Sequence, residues 1–121
     1  MIIRKLNDCR QFISGDKAVL RELLHADKGS FKFRYSLAHA RVNPGGVTLP
    51  HKLKTTEVYY ILEGRGVMHI GAESRKVGAH YAIYVPPKKL QYIENKGNTD
   101  LVFLCIVDPA WNAEDEKILK K

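Results

Sequence analysis

Cysteine is scarce in this chain, and so are tryptophan and long apolar runs. Cys9 and Cys105 stand far apart with no CxxC, so neither a disulfide framework nor a cysteine-rich zinc site organises the fold. No stretch approaches the ~20 apolar residues of a membrane span. The start MIIRKLNDCRQF lacks the apolar core of a secretory leader. These absences lead to the expectation of a soluble, cytosolic (cytoplasmic) protein with free thiols, Cys105 within LVFLCIV serving as core packing. Tandem repeats, low-complexity segments, a P-loop, a dinucleotide fingerprint and any Ser-His-Asp order are also missing. Acidic residues are in deficit, 13 against 20 Lys and Arg, which leaves a formal charge of +7. The basic residues are spread along the chain, as in Lys52/Lys54, Arg75/Lys76, Lys88/Lys89 and Lys117/Lys120/Lys121, and no RNA-binding or helix-turn-helix signature accompanies them. Charge alone therefore assigns no nucleic-acid partner, and no membrane partner is expected.

What is present is a chain of 121 residues with 45% hydrophobic content, enough for one domain (1–121) with its own core. Turn signals recur every ~8 to 12 residues, which is the pattern of a sandwich or barrel of short strands. Residues 1 to 6 read as a strand. Asp16 reads as the N-cap of a short helix over residues 17 to 25, whose Leu20, Leu23 and Leu24 make one apolar face. FKFRYSLAHARV (31 to 42) reads as a strand with Tyr35, Leu37, His39 and Arg41 on one face and Ser36, Ala38, Ala40 and Val42 on the other. Further strands are expected at 67 to 70, 81 to 85, 91 to 94 and 101 to 107, with Pro86-Pro87 ending one of them. Asp108-Pro109-Ala110-Trp111 is expected to fold back over the sheet or the barrel mouth. The tail from Asn112 suggests a last helical turn or two, acidic at its start and basic at its end.

The organising stretch is GGVTLPHKLKTTEVYYILEGRG, residues 45 to 66. It reads as two strands joined by a polar turn over 52 to 56, bringing His51 and Glu57 face to face across a strand pair. By alternation Glu57, Tyr59 and Ile61 share one face, so a carboxylate opens a face that is otherwise apolar. A carboxylate there needs a partner.

The spacing of these residues resembles the first motif of the cupin superfamily, G-x5-H-x-H-x3-E-x6-G, met by Gly45, His51, Glu57 and Gly64 with Leu53 in place of the second histidine. The second motif, G-x5-P-x-G-x2-H-x3-N, falls on His80, Pro86, Lys88, Gln91 and Asn95, of which the proline and asparagine match. The resemblance covers roughly residues 33 to 107. It implies an antiparallel double-stranded β-helix (a jelly-roll barrel), all-β apart from the short N-terminal helix and the C-terminal helical tail. It also implies a divalent metal ion, Zn, Fe, Ni or Mn, on His51, Glu57 and Gln91. Gln91 has an alternative role as a hydrogen-bond partner of Glu57, and His39 or His80 are the histidines available to compensate for Leu53. His25 and His69 have no evident role. In such a barrel Tyr35, Leu53, Tyr59, Ile61 and Ile93 would line a pocket for a small-molecule ligand or substrate. Small cupins commonly pair and exchange an N-terminal strand, which implies a homodimer. Three functions follow: a metal-dependent enzyme of isomerase, oxygenase or lyase type; a non-catalytic small-molecule binder or sensor; and, on charge alone, a nucleic-acid binder.

Overall fold

Apolar side chains that alternate with polar ones give each strand one face to bury, and two sheets closing on each other bury both. The structure, a computed structural model, describes residues 1–25 and 33–119. The described strands are β1 (Gln11–Ile13), β2 (Val19–Leu24), β3 (Ser36–Val42), β4 (His51–Leu53), β5 (Thr56–Glu63), β6 (Arg65–Ile70), β7 (Glu73–Gly78), β8 (Ala82–Val85), β9 (Gln91–Asn95), β10 (Leu101–Asp108) and β11 (Glu116–Ile118). One sheet has the order β1-β2-β3-β10-β5-β8 and the other β11-β4-β9-β6-β7. The pairings are antiparallel, so the expected all-β antiparallel architecture is what forms.

Strand β5 shows how the sequence positions the interior. Glu57, Tyr59 and Ile61 are buried while Val58, Tyr60 and Leu62 are only partly so, as the period of two requires. Ile61, Ile93 and Leu101 are 0% exposed, and each stabilises the fold by roughly 1.5–3 kcal/mol. Tyr59 stacks on Phe103 at 5.0 Å between ring centroids, extending the core toward Glu57. The β5–β6 turn depends on Gly64, whose φ is +87° and whose missing Cβ would lie 2.6 Å from the Asp100 carbonyl oxygen. Near that end Asn95 donates from Nδ2 to the carbonyls of Val42 (2.9 Å) and Thr99 (2.8 Å) and accepts from the Gly97 N–H (2.9 Å). The motif asparagine thus ties the end of β3 to the β9–β10 loop.

Several expectations need correction. Residues 17 to 25 contain no helix: β2 pairs with β3, Leu20 opposite Ala40 and Glu22 opposite Ala38. A helix of nine residues is marginal in water, whereas the exposed edge of β3 offers a full ladder of backbone partners. Asp16 lies in the β1–β2 turn, not at a helix start, with its carboxylate on the Ser14 hydroxyl. The C-terminal helical tail is also absent: Ala113–Asp115 makes one 3-10 turn, capped by Asn112 Oδ1 on the Glu114 N–H, and residues 116 to 118 extend into β11 against β4. Residues 1 to 5 carry no strand, and the 3-10 turn Leu6–Asp8 follows them. Strand β7, for which the sequence gives no strand signal, pairs along the whole of β6. The expected strand start at Phe31 and the terminal Lys120 and Lys121 lie outside the described residues. Among the described residues no helix is long and apolar enough to cross a membrane.

Candidate functional site

His51 and Glu57 do not face each other across a strand pair. They lie in opposite sheets, His51 on β4 beside Gln91 on β9, Glu57 on β5 between Val107 of β10 and Val85 of β8. The tight 54–55 link carries the chain from one sheet to the other, so both side chains enter the barrel interior from opposite walls. His51 is 3% exposed and Glu57 6%. Between them opens a cavity of about 320 Å³ whose walls include Ala38, Leu53, Tyr59, Phe103 and Trp111. That volume is at the small end of ligand sites.

The polar groups are arranged in layers. The Nδ1 of His51 lies 3.0 Å from the Leu49 carbonyl oxygen; a carbonyl only accepts, so Nδ1 carries the proton and Nε2 is the unprotonated nitrogen of the neutral ring. The same Nδ1 is 3.7 Å from Asp16 Oδ2. Gln91 is occupied: its Oε1 accepts the Tyr59 hydroxyl at 2.5 Å. Glu57 Oε1 is buried with no hydrogen-bond partner. Burial pushes the Glu57 carboxyl up from 4.5 to about 7, against the opposing pull of His51 and with a further push from Asp16. Burial likewise raises Glu116, at the cavity edge on β11. The Cys105 thiol is raised by burial and by Glu57, which it adjoins.

A family model described as the cupin domain matches residues 38–107. This chain belongs to the cupin family. An uncharacterized protein of Methanocaldococcus jannaschii is 44% identical over 114 residues, covering 92% of this chain and 89% of the relative. An oxalate-binding protein of Thermotoga maritima is 35% identical over 71 residues, 58% of this chain and 59% of that protein. This cupin thus spans less than two thirds of that relative. The crystal structure of a predicted oxalate decarboxylase from Thermotoga maritima superimposes with a TM-score of 0.77 at 25% identity, covering 89% of this chain and 99% of that one.

A metal centre of the kind the motifs imply meets a donor set that does not fit it. Leu53, 3% exposed, fills the second histidine's place with a side chain that cannot coordinate. Gln91 offers only an amide oxygen, a weak donor already engaged by the Tyr59 hydroxyl. His51 Nε2 and Glu57 Oε1 are left, and among the described residues no three His, Cys, Asp or Glu side chains are grouped to hold an ion. Neither histidine that might compensate reaches the cavity. His39 lies on the outer face of β3, opposite Arg21 and Leu104, its pKa lowered by burial and the two nearby arginines. His80 sits in the β7–β8 turn against the Tyr60 hydroxyl at 3.3 Å.

Of the five expected pocket residues, Leu53 and Tyr59 line the cavity. Ile61 and Ile93 belong to the solid core beyond it. Tyr35 is 44% exposed on the outer side, against Phe33. The inward face of that strand is the one carrying Ser36, Ala38 and Ala40. Asp16, Glu116 and Cys105 are cavity residues that the motif spacing does not point to. Trp111 does reach the mouth, as the fold-back of 108 to 111 implies: its N–H donates to Ser36 Oγ (2.9 Å) and its carbonyl accepts from His25 Nε2 (2.8 Å). His69 is bonded to Ser74 (2.7 Å) and Glu94 (2.6 Å) away from the cavity walls.

Proposed function

We propose that this cupin takes a small organic molecule into its barrel and that His51 and Glu57 act on it as an acid–base pair. One observation carries the reading: a carboxyl oxygen of Glu57, buried and without a partner, faces a cavity opposite an imidazole of defined tautomer. A carboxyl that titrates near 7 can give or take a proton at neutral pH. Proton transfer of this kind serves isomerase- and lyase-type reactions without a redox cofactor. If the cavity only binds, the same groups anchor the ligand of a non-catalytic sensor. The test is a screen of small anionic, neutral and cationic molecules, read by the fluorescence of Trp111, the single tryptophan, at the cavity wall. Saturable binding that weakens at least ~10-fold in Glu57→Gln is expected, as loss of a hydrogen bond to a charged group commonly does. Absence of any binding sinks the reading.

A second reading, a weakly held divalent ion on His51, Glu57 and Gln91, has the orphaned Glu57 oxygen in its favour and the poor donor set against it. If that is the site, Leu53→His with Gln91→His raises affinity for zinc, nickel or iron by at least ~10-fold in calorimetric titration. An unchanged affinity removes it. A homodimer and a cytosolic setting complete the proposal. The dimer is supported by the exposed N-terminal segment, where Ile2 is 50% and Ile3 79% exposed, and sedimentation as a monomer at micromolar concentration counts against it.

A further inference from the structure

Among the described residues the walls of the cavity carry more acidic than basic side chains, the reverse of the chain as a whole. The chain carries a net +7, yet among the described residues Asp16, Glu57 and Glu116 line the cavity against one guanidinium, that of Arg10. Arg10 is an exposed residue held over the Phe12 ring at 5.7 Å, so it belongs to the rim. His51 adds at most one positive charge, already within 3.7 Å of Asp16. These carboxylates come from three separate elements: the β1–β2 turn, β5 and β11. Local sequence crowding does not explain their convergence. Glu57 supplies the second, independent observation, since it lines the cavity while its Oε1 is buried and unpartnered. In the ionised carboxyl this oxygen only accepts hydrogen bonds, so the ligand that completes it is a donor. The remaining walls are apolar and aromatic, with the stacked Tyr59 and Phe103 rings on one side and Trp111 at the mouth. Aromatic faces attract cations and repel anions.

Resting on the reading of the cavity as a small-molecule site, we propose that its ligand is an organic cation: an amine whose ammonium donates to Glu57 and whose apolar or aromatic body lies against Leu53, Tyr59 and Phe103. This separates the chain from its oxalate-binding relative, whose ligand is a dianion. Asp16, Glu57 and Glu116 beside one rim arginine are a poor receptor for two negative charges, and a good one for a single positive charge on an apolar stem.

The experiment uses the full chain, treated with chelator, and three molecules of matched shape: phenethylammonium, 3-phenylpropionate and the neutral 2-phenylethanol. Trp111 fluorescence reports binding, and circular dichroism checks each variant's fold. Phenethylammonium is expected to bind saturably and at least ~10-fold tighter than the carboxylate, a difference of about 1.4 kcal/mol. Asp16→Asn and Glu57→Gln should each weaken it by about 10-fold or more. Glu73→Gln, at an exposed ion pair with Arg75 outside the cavity walls, should leave it unchanged. Asp16 is partly exposed, so its variant keeps the test informative even if Glu57→Gln fails to fold. Tighter binding of the carboxylate or the alcohol overturns the cation while leaving the cavity reading intact. Silence from all three molecules overturns the cation, and silence across the broader screen overturns the cavity reading too. Zinc that binds alone and is not displaced by the amine also overturns it.

Discussion

At one end of the barrel Asn95 satisfies its whole amide, two carbonyls and one N–H; at the other, Glu57 keeps an oxygen buried and idle. Both are motif residues, and both are nearly removed from solvent. Their difference divides the molecule. Around Asn95 lie Leu101, Val42 and the Gly64 turn, where the side chains are packed without a cavity between them. Around Glu57 lie a cavity, two carboxyls raised by burial and an imidazole within reach of Asp16. An unpaired buried carboxylate costs the fold several kcal/mol of desolvation. The packed end supplies the stability that lets the cavity end hold such a group ready for a ligand.

The largest effect that would break this division is a change of core volume. Ile93→Ala, at a side chain with no exposure, should cost about 2–5 kcal/mol in urea denaturation. Leu20→Ala, at a half-buried position on the cavity wall, should cost only on the order of 1 kcal/mol because the space beside it is already open. Equal costs at the two sites would mean that the cavity end is as tightly built as the core.

The next effect concerns sign as well as size. Glu57 has its folded carboxyl raised from 4.5 to about 7, so the folded state binds the proton more tightly than the unfolded state. Its contribution is favourable below about 4.5, declines as pH rises through about 7, and is then fully lost, a swing on the order of 3 kcal/mol. Glu57→Gln removes that dependence. Thermal denaturation between pH 4 and pH 8 should show the variant gaining on the wild type as pH rises, while Asn95→Ala loses at every pH. A parallel pH profile for wild type and Glu57→Gln would show the carboxyl to be solvated after all.

How much of this was legible in the sequence follows the same boundary. Strand β5 declared itself, because Glu57, Tyr59 and Ile61 alternate with side chains that are only half-buried, and one period fits. His51 and Leu53 share a face for the same reason. The partition of the cavity was harder to read. Asp16 and Glu116 lie 100 positions apart in the chain and meet only because β1–β2 and β11 close over the same mouth. No local spacing records such a meeting. Strand β2 reads as a helix because Leu20, Leu23 and Leu24 suit the helical period, while its true pattern is defined by the edge of β3. Tyr35 shows the smallest possible error: the alternation of its strand is as expected, but the inward phase belongs to Ser36, and a slip of one residue moves every side chain to the other face.

The last effect is the smallest and tests the backbone that both ends share. The two glycines missing from the second motif are replaced by His80 and Lys88, and both keep the positive φ that a glycine would adopt, 73° and 67°. The turn geometry therefore survived the loss of the residue suited to it. A side chain in the left-handed region costs roughly 1–2 kcal/mol, and glycine returns part of that gain through the greater freedom of its unfolded chain, about 0.5–1 kcal/mol. His80→Gly and Lys88→Gly should each stabilise the protein by about 0.5 kcal/mol. Both substitutions lie outside the cavity walls, so ligand affinity read by Trp111 should not change. His80 also contacts the Tyr60 hydroxyl at 3.3 Å and Lys88 does not, so the pair separates backbone strain from side-chain contact. If Lys88→Gly stabilises and His80→Gly does not, the Tyr60 contact offsets the strain at that turn. If both destabilise, the positive φ at these positions is not the strained state that the geometry implies.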